Sequence, residues 1–229
     1  MILRNALLFF FLPLCAEIQI VYHIATMTNW KAIVKEQLAL VQDSGLADAC
    51  DRITVVVVGP KIKRARQLIQ ELIPGNKVRI IHGGKELDQY EFPSIAAARN
   101  IAQNSPNAKI LYLHTKGVSH YRTPFEENVA YWRCYLNYFV IEKWRACVEA
   151  LDSFDLCGVD WLEKPELHFS GNFWWSRADY LRTCQGTAKR HGRWDSEYLI
   201  GSGNSPRAKS FHQSGRDLYH FAYLPSYYR

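Results

Sequence analysis

Several phosphate-binding and catalytic signatures are missing from this sequence. No G-x-G-x-x-G follows the first apolar strand pattern, and no G-x-x-x-x-G-K-[ST] occurs, which argues against a Rossmann dinucleotide turn and against P-loop chemistry. The absence of G-x-S-x-G argues against an α/β-hydrolase elbow. The six cysteines, at 15, 50, 134, 147, 157 and 184, show neither C-x-x-C nor a Cys/His zinc spacing. Their spacing speaks against metal ligation and fits buried free thiols. There is no N-x-[ST] sequon with a permitted middle residue, no internal repeat and no linker. No run approaches the roughly 20 apolar residues that span a bilayer. Gly 13 and Pro 9 in 229 residues are ordinary contents, which removes collagen-like and low-complexity classes. No recognition helix or RNP motif is evident, so nucleic acid is not an expected partner.

What is present describes a globular chain. Hydrophobic residues make up 48%, charged residues 22% and aromatics 14%, too apolar a mixture for disorder. The length fits one well-cored domain. The net charge of +6 (28 basic against 22 acidic) favours an anionic partner, whether a phosphorylated ligand, a nucleic acid or a membrane surface, and selects none of them. From Arg177 onward nine Lys/Arg face four Asp/Glu. Residues Met1–Ala16 (MILRNALLFFFLPLCA) have one Arg before a short apolar run and a small residue before Glu17, the layout of a secretory leader. A retained anchor or an ordinary buried segment are the alternatives, because Leu14 is a poor residue three positions before the cut. The expected division is a leader over 1–16 and a domain over 17–229. The corresponding location is the secretory pathway or another extracytoplasmic site, with the cytoplasm as the alternative, and membrane association would run through the N-terminus.

Strand and helix patterns alternate through the first half. Ile18–Ala25 and Ile53–Val58 read as strands, the second apolar on both faces as in a buried parallel strand. Val78–Ile81, Ile110–Leu113 and Leu156–Val159 are further strands. Helices are expected over Asn29–Asp43 with Thr28 as cap, over Ile62–Ile73, over Pro93–Gln103 and, unbroken, over Glu126–Leu151. Ser176 and Asp179 suggest a capping box for a helix through Cys184. This order predicts an α/β fold with a mostly parallel central sheet flanked by helices, in which ligands bind beyond the carboxyl ends of the strands. Those ends lead into TMTNW, GPK, HGGKE and HTKGVSH.

Three segments hold chemistry. HTKGVSH (His114 to His120) offers His114 and Lys116 at a strand end, suited to a phosphate or a sugar hydroxyl, or it is a plain polar turn. HFSGNFWW (His168 to Trp175) sets aromatic faces beside Asn172, a way to hold a sugar ring, or it is a core strand. There, alternation would send one of Trp174 and Trp175 inward and the other outward. RWDSEYL supplies Asp195 and Glu197 as general-base candidates, against the ordinary occurrence of acids at helix starts. His212 and His220 flank a polar stretch and are more often structural.

Together, VYHIATMTNW, GLADACDRITVVVVG, ILYLHTKGVSH and HFSGNFWWSRADYL resemble a group of glycosyltransferase-like proteins of unassigned activity, related to GT-A-type nucleotide-sugar transferases. The resemblance spans about Ile18 to Tyr228. It implies a single GT-A-like, Rossmann-like domain that moves a sugar from a nucleotide-sugar donor to a glycan, lipid or protein acceptor. In the GT-A pattern a helix precedes a strand ending in Asp-x-Asp, which holds a divalent metal on the diphosphate. Here IAAARNIAQ precedes ILYL, and the Asp-x-Asp position reads His114-Thr115-Lys116. Mn²⁺ or Mg²⁺ is therefore in doubt, with His114 and His212 the metal candidates and Lys116 a substitute cation. The implied roles are Thr26, Thr28, Asn29, His114 and Lys116 toward the nucleotide and diphosphate. His168, Asn172, Trp174 and Trp175 would take the sugar or acceptor, and Glu197 or Asp195 would be the base. Two other readings compete: a binding protein of the same fold that has lost catalysis, and a hydrolase using His114, His120 or His168 with a carboxylate.

Overall fold

The computed structural model describes residues 16–185, 192 and 194–229. The leader expectation falls on residues outside this set, apart from Ala16. Seven strands form one sheet: β1 (Ile18–Ala25), β2 (Arg52–Val58), β3 (Val78–Gly84), β4 (Lys109–His114), β5 (Leu156–Gly158), β8 (Trp174–Arg177) and β9 (Ala208–Ser210). Their order is β3-β2-β1-β4-β8-β5-β9. β8 pairs antiparallel with both β4 and β5, while the remaining pairs are parallel, so β8 alone runs against the rest. A separate two-stranded ribbon joins β6 (Trp161–Leu162) to β7 (His168–Phe169). The α/β class and the mostly parallel sheet expected from the sequence are what the chain adopts.

Helices cover both faces. α1 (Trp30–Asp43), α2 (Leu46–Ala49), α3 (Ile62–Leu72), α5 (Glu126–Asn137) and α6 (Trp144–Ala150) share a core with Ile20, Tyr22, Ile24, Val55, Val57, Leu111 and Trp175. α4 (Phe92–Asn104) and the single turn α7 (Ala178–Leu181) pack with Val21, Ile110, Tyr112 and Trp174 on the other face. The alternation along β1 decides the split, since Ile20, Tyr22 and Ile24 point one way and Val21 and His23 the other. Right-handed connections place α1 and α3 on one face while the chain moves outward to β3. α4 must then return on the opposite face to reach β4. The reversal between β1 and β4 opens a crevice at their carboxyl ends, where open α/β sheets bind ligands.

Four local expectations are corrected. Thr28 does not cap α1: it has φ 39°, its hydroxyl donates to the Val118 carbonyl, and Asn29 precedes the helix without a side-chain cap. The long helix over 126–151 is interrupted by a π-turn at Tyr138–Glu142. There the Phe139 and Val140 carbonyls accept from Cys147 Sγ and Trp175 Nε1, partners outside the helical ladder. Ser176 lies in β8 and bonds the Asp155 and Arg177 carbonyls, so no capping box forms and the helix stops at Leu181. Trp174 and Trp175 are both fully buried, because helices cover the sheet on both sides and leave no outward face. The described cysteines 50, 134, 147, 157 and 184 are free, all but Cys134 buried. No helix among the described residues is long and apolar enough to cross a membrane.

Trp175 donates from Nε1 to Val140 at 2.8 Å, and Trp174 stacks on Tyr112 with centroids 5.0 Å apart. Truncating a buried Trp leaves a large void, and Trp174→Ala and Trp175→Ala are each expected to lower unfolding free energy by about 3–5 kcal/mol. Urea denaturation measures this; near-native stability in either variant would place that indole outside the core.

Candidate functional site

A cavity of about 340 Å³ sits in the crevice at the carboxyl ends of β1 and β4. β1 and β4 bring His23 and His114 to its base as register partners on the α4 face. Thr115 then takes the Ala25 amide on its hydroxyl at 3.1 Å, which fixes the two strand ends together as they separate. The next residue, Lys116, is 8% exposed, and its Nζ lies 3.4 Å from the centroid of the Trp132 ring, a cation–π contact. The loop is held from behind. Arg133 Nη1 donates to the Lys116 carbonyl at 2.9 Å, while Glu36 grips the same guanidinium at 2.9 and 2.8 Å. Gly117 turns the loop at φ 101°, a conformation that side chains with a Cβ rarely adopt, and an added Cβ would also meet Arg133 Nη1 at 2.9 Å.

The opposite wall is the turn Gly171-Asn172. The Gly171 carbonyl accepts from His114 Nε2 at 3.0 Å, which sets the proton on that nitrogen. The Gly171 N–H donates to Glu197 Oε1 at 2.8 Å. Asn172, with φ 54°, donates from Nδ2 to Glu91 Oε2 at 2.7 Å and accepts from Trp174 Nε1 at 2.9 Å. Tyr112 donates to the same Glu91 oxygen at 2.7 Å. Two carboxylates, Glu91 and Glu197, thus enter one cavity, each anchored by one oxygen. Burial raises the Glu197 carboxyl above the usual carboxylate range, opposed by the positive charge of Lys116 and the Gly171 N–H and reinforced by the Glu91 charge.

The structure brings together four of the residues singled out from sequence: His114, Lys116, Asn172 and Glu197. His120, named in the hydrolase reading, also lines the cavity. The rest stand elsewhere. Thr26 is buried and ties Val58 to Lys61, donating at 3.2 Å and accepting at 3.3 Å. It fixes the β1 and β2 ends without lining the cavity, and neither Thr28 nor Asn29 lines it; Ala25 and Met27 supply that edge. Trp174 and Trp175 are enclosed, so neither offers a face to a sugar. His168 bonds the Glu166 carbonyl at 2.7 Å and packs edge-on against Tyr198. Asp195 begins the short helix α8 (Asp195–Tyr198) but does not line the cavity, whereas Glu197 on the same turn does. His212 meets Tyr135 Oη at 3.2 Å in the aromatic packing of the C-terminal segment, apart from His114. Among the described residues no group of three or more His, Cys, Asp or Glu comes together to hold a metal ion. The divalent-metal expectation thus finds no donor set among the described residues.

Residues 20–187 match the family model described as Domain of unknown function (DUF8361). The chain belongs to this family. The matched stretch of the DUF8361 domain contains His23, Glu91, the HTKG loop and Gly171-Asn172, while Glu197 and Tyr219 lie beyond it. No curated protein matches the chain in sequence. Among solved structures, HddC from Yersinia pseudotuberculosis aligns with a TM-score of 0.50 at 12% identity, over 85% of this chain and 90% of that one. A cytidylyltransferase from Leptospira borgpetersenii gives 0.48 at 8% identity, over 87% and 80% of the two chains. A 4-diphosphocytidyl-2C-methyl-D-erythritol synthase from Anaerococcus prevotii gives 0.46 at 13% identity, over 86% and 89%. Likeness at these identities is one of fold.

Sequence reasoning missed Glu91, His23 and Trp132. Glu91 precedes α4, two residues before the Pro93 that marked that helix, and could have been read as an acid following a strand end. Trp132 looked like any core position on a helical stripe. His23 is 3% exposed, meets Ser94 Oγ at 2.8 Å through Nδ1, and also lines the cavity. Burial lowers its pKa to about 4 from 6.5, against the pull of Glu91 and with that of His114. The unfolded chain therefore binds one more proton than the folded one between these two values. Stability falls as pH drops from 6.5 toward 4, by about 3 kcal/mol for this group, and is unaffected by it above 6.5. Unfolding free energy across that window should fall more steeply in the native protein than in His23→Gln; equal slopes would contradict a buried neutral His23.

Proposed function

We propose that the chain is a transferase that moves a sugar from a nucleotide-sugar donor to an acceptor hydroxyl, with Lys116 supplying the charge that a metal supplies in the GT-A pattern. The observation that carries this reading is Lys116 itself. It is a nearly buried ammonium, fixed over Trp132 in a cavity at the sheet's switch point, in the position where the resemblance expects Asp-x-Asp. When the bond between the sugar's anomeric carbon and the diphosphate oxygen breaks, negative charge gathers on the departing nucleoside diphosphate. A cation held in a water-poor site stabilises that charge with no reorganisation during the reaction. His114, tied to Gly171, stands beside it.

On the acceptor side, the hydroxyl oxygen forms the new bond to the anomeric carbon and its proton passes to Glu197. A carboxylate raised by burial is a better proton acceptor at neutral pH than an exposed one. Glu197 is held for this by the Gly171 N–H, which leaves its second oxygen for the acceptor. The absence of an Asp-x-Asp pair favours the alternative of a sugar- or nucleotide-binding protein without turnover.

Thermal shifts with UDP, CDP, GDP and ADP and their sugar conjugates, each with Mn²⁺ and with chelator, test the donor site. A ligand at about 100 times its Kd adds about 2.7 kcal/mol, a rise of roughly 5–10 °C for a chain of this size. The reading expects one base to stand out and the shift to survive chelator. In a turnover assay with that donor, Lys116→Ala should lose about 10²–10³-fold in kcat with its fold retained. A shift with no turnover in the native protein would support the binding protein, undiminished turnover in Lys116→Ala would remove the leaving-group role, and no shift with any nucleotide would remove the donor site.

A further inference from the structure

We infer that the mouth of this cavity is a carbohydrate subsite, in which a sugar ring packs on Tyr90 and Trp194 and gives hydroxyls to Glu91 and Glu197. The inference rests on the transferase reading in taking that carbohydrate as the acceptor.

Seven large apolar side chains are exposed among the described residues, and three of them, Leu87, Tyr90 and Trp194, line this one cavity. Such a concentration at a cavity mouth marks a contact surface, whereas scattered exposed apolar residues do not. Tyr90 is 43% exposed and Trp194 46%. Tyr90 also sits at φ 45°, a conformation that a bulky side chain rarely adopts.

Each aromatic comes with a carboxylate. Tyr90 immediately precedes Glu91, and the Glu197 N–H donates to the Trp194 carbonyl at 2.9 Å, which puts indole and carboxylate on one turn. Both carboxylates are pre-positioned through a single oxygen: Glu91 Oε2 takes Tyr112 and Asn172, and Glu197 Oε1 takes Gly171. The second oxygen of each has no hydrogen-bond partner among the described residues. Deeper in the same cavity His23, 3% exposed, uses Nδ1 on Ser94 and has no partner for Nε2 among the described residues.

This combination selects a ligand class. Aromatic faces take the C–H side of a sugar ring, and carboxylate oxygens accept from its hydroxyls. An anionic group is repelled by the two acids, and a plain acyl chain would leave both carboxylates and His23 without the donors and acceptors they lack. The diphosphate is thereby assigned to Lys116 and the uncharged polyol to the two acids, with Lys116 and Glu197 acting on each other across the one cavity they line.

Saturation-transfer NMR on the full chain, with a panel of neutral monosaccharides, their methyl glycosides and β-linked disaccharides, tests the subsite, first without nucleotide and then with UDP, CDP, GDP or ADP. At least one saccharide should bind. Tyr90→Ala and Trp194→Ala, both at exposed positions, should each weaken it tenfold or more, and Glu91→Gln should weaken it while circular dichroism stays native. The nucleotide thermal shift should persist in the two aromatic variants. Saccharide binding without any nucleotide shift would leave the subsite standing and sink the transferase reading. A nucleotide shift with no saccharide bound under either condition, or binding unchanged in both aromatic variants, would overturn the subsite.

Discussion

The turn at Gly171-Asn172 holds the cavity together. Two consecutive residues accept from His114, donate to Glu197 and to Glu91, and accept from Trp174, at 2.7 to 3.0 Å. Both have positive φ, and an added Cβ on Gly171 would meet Leu136 at 2.8 Å and Trp132 at 3.1 Å. The helix that carries Trp132 therefore presses directly on the turn that orients the acids, and the same Trp132 carries Lys116 on its ring. Imidazole and both carboxylates are positioned through one short piece of backbone, and the cation through the Trp132 ring packed against it. Strain held at such a site persists because the surrounding packing over-determines it.

Charge is divided by the same construction. Lys116 and its loop are fixed from α5 by Arg133, whose own charge is balanced by Glu36 outside the cavity. Glu91 and Glu197 are fixed from the turn. His23, its pKa lowered by burial, is neutral beside Glu91 and His114. Lys116 opposes the charge of Glu197 within the same cavity, so one space offers a cation to an anionic group and carboxylates to hydroxyls. This pairing, together with the sheet's switch point, is the physical basis for the proposal that the site joins two substrates.

Five of the sheet's seven strands, β1 to β5, were legible in the sequence because their signals are local, whereas β8 was left open as a core strand or a sugar-holding segment and the three-residue β9 carried no signal. ITVVVV is short and apolar on both faces, the mark of a buried parallel strand, and the alternation in IQIVYHIA sorts β1 between two cores. The HTKG loop was legible because it follows an apolar strand with a glycine at the turn. Trp174 and Trp175 misled because alternation was taken to imply a wet face, and burial of both faces depends on α4 and α6 arriving from distant parts of the chain. Glu91 went unread for the same reason: its partners, Tyr112 and Asn172, lie 21 and 81 residues away. The break at Tyr138–Glu142 likewise follows from Trp175 reaching Val140, a contact between positions 35 residues apart.

Hydrogen–deuterium exchange of the full chain, with and without UDP, CDP, GDP or ADP in excess, reads the location of ligand binding most directly. The account predicts that one nucleotide slows exchange at the amides of 114–118 and 171–172, the loop and the turn that face each other across the cavity. Protection confined to other segments, such as the strand starts near 106–109 at the opposite end of the sheet, would contradict it, as would unchanged exchange with all four nucleotides.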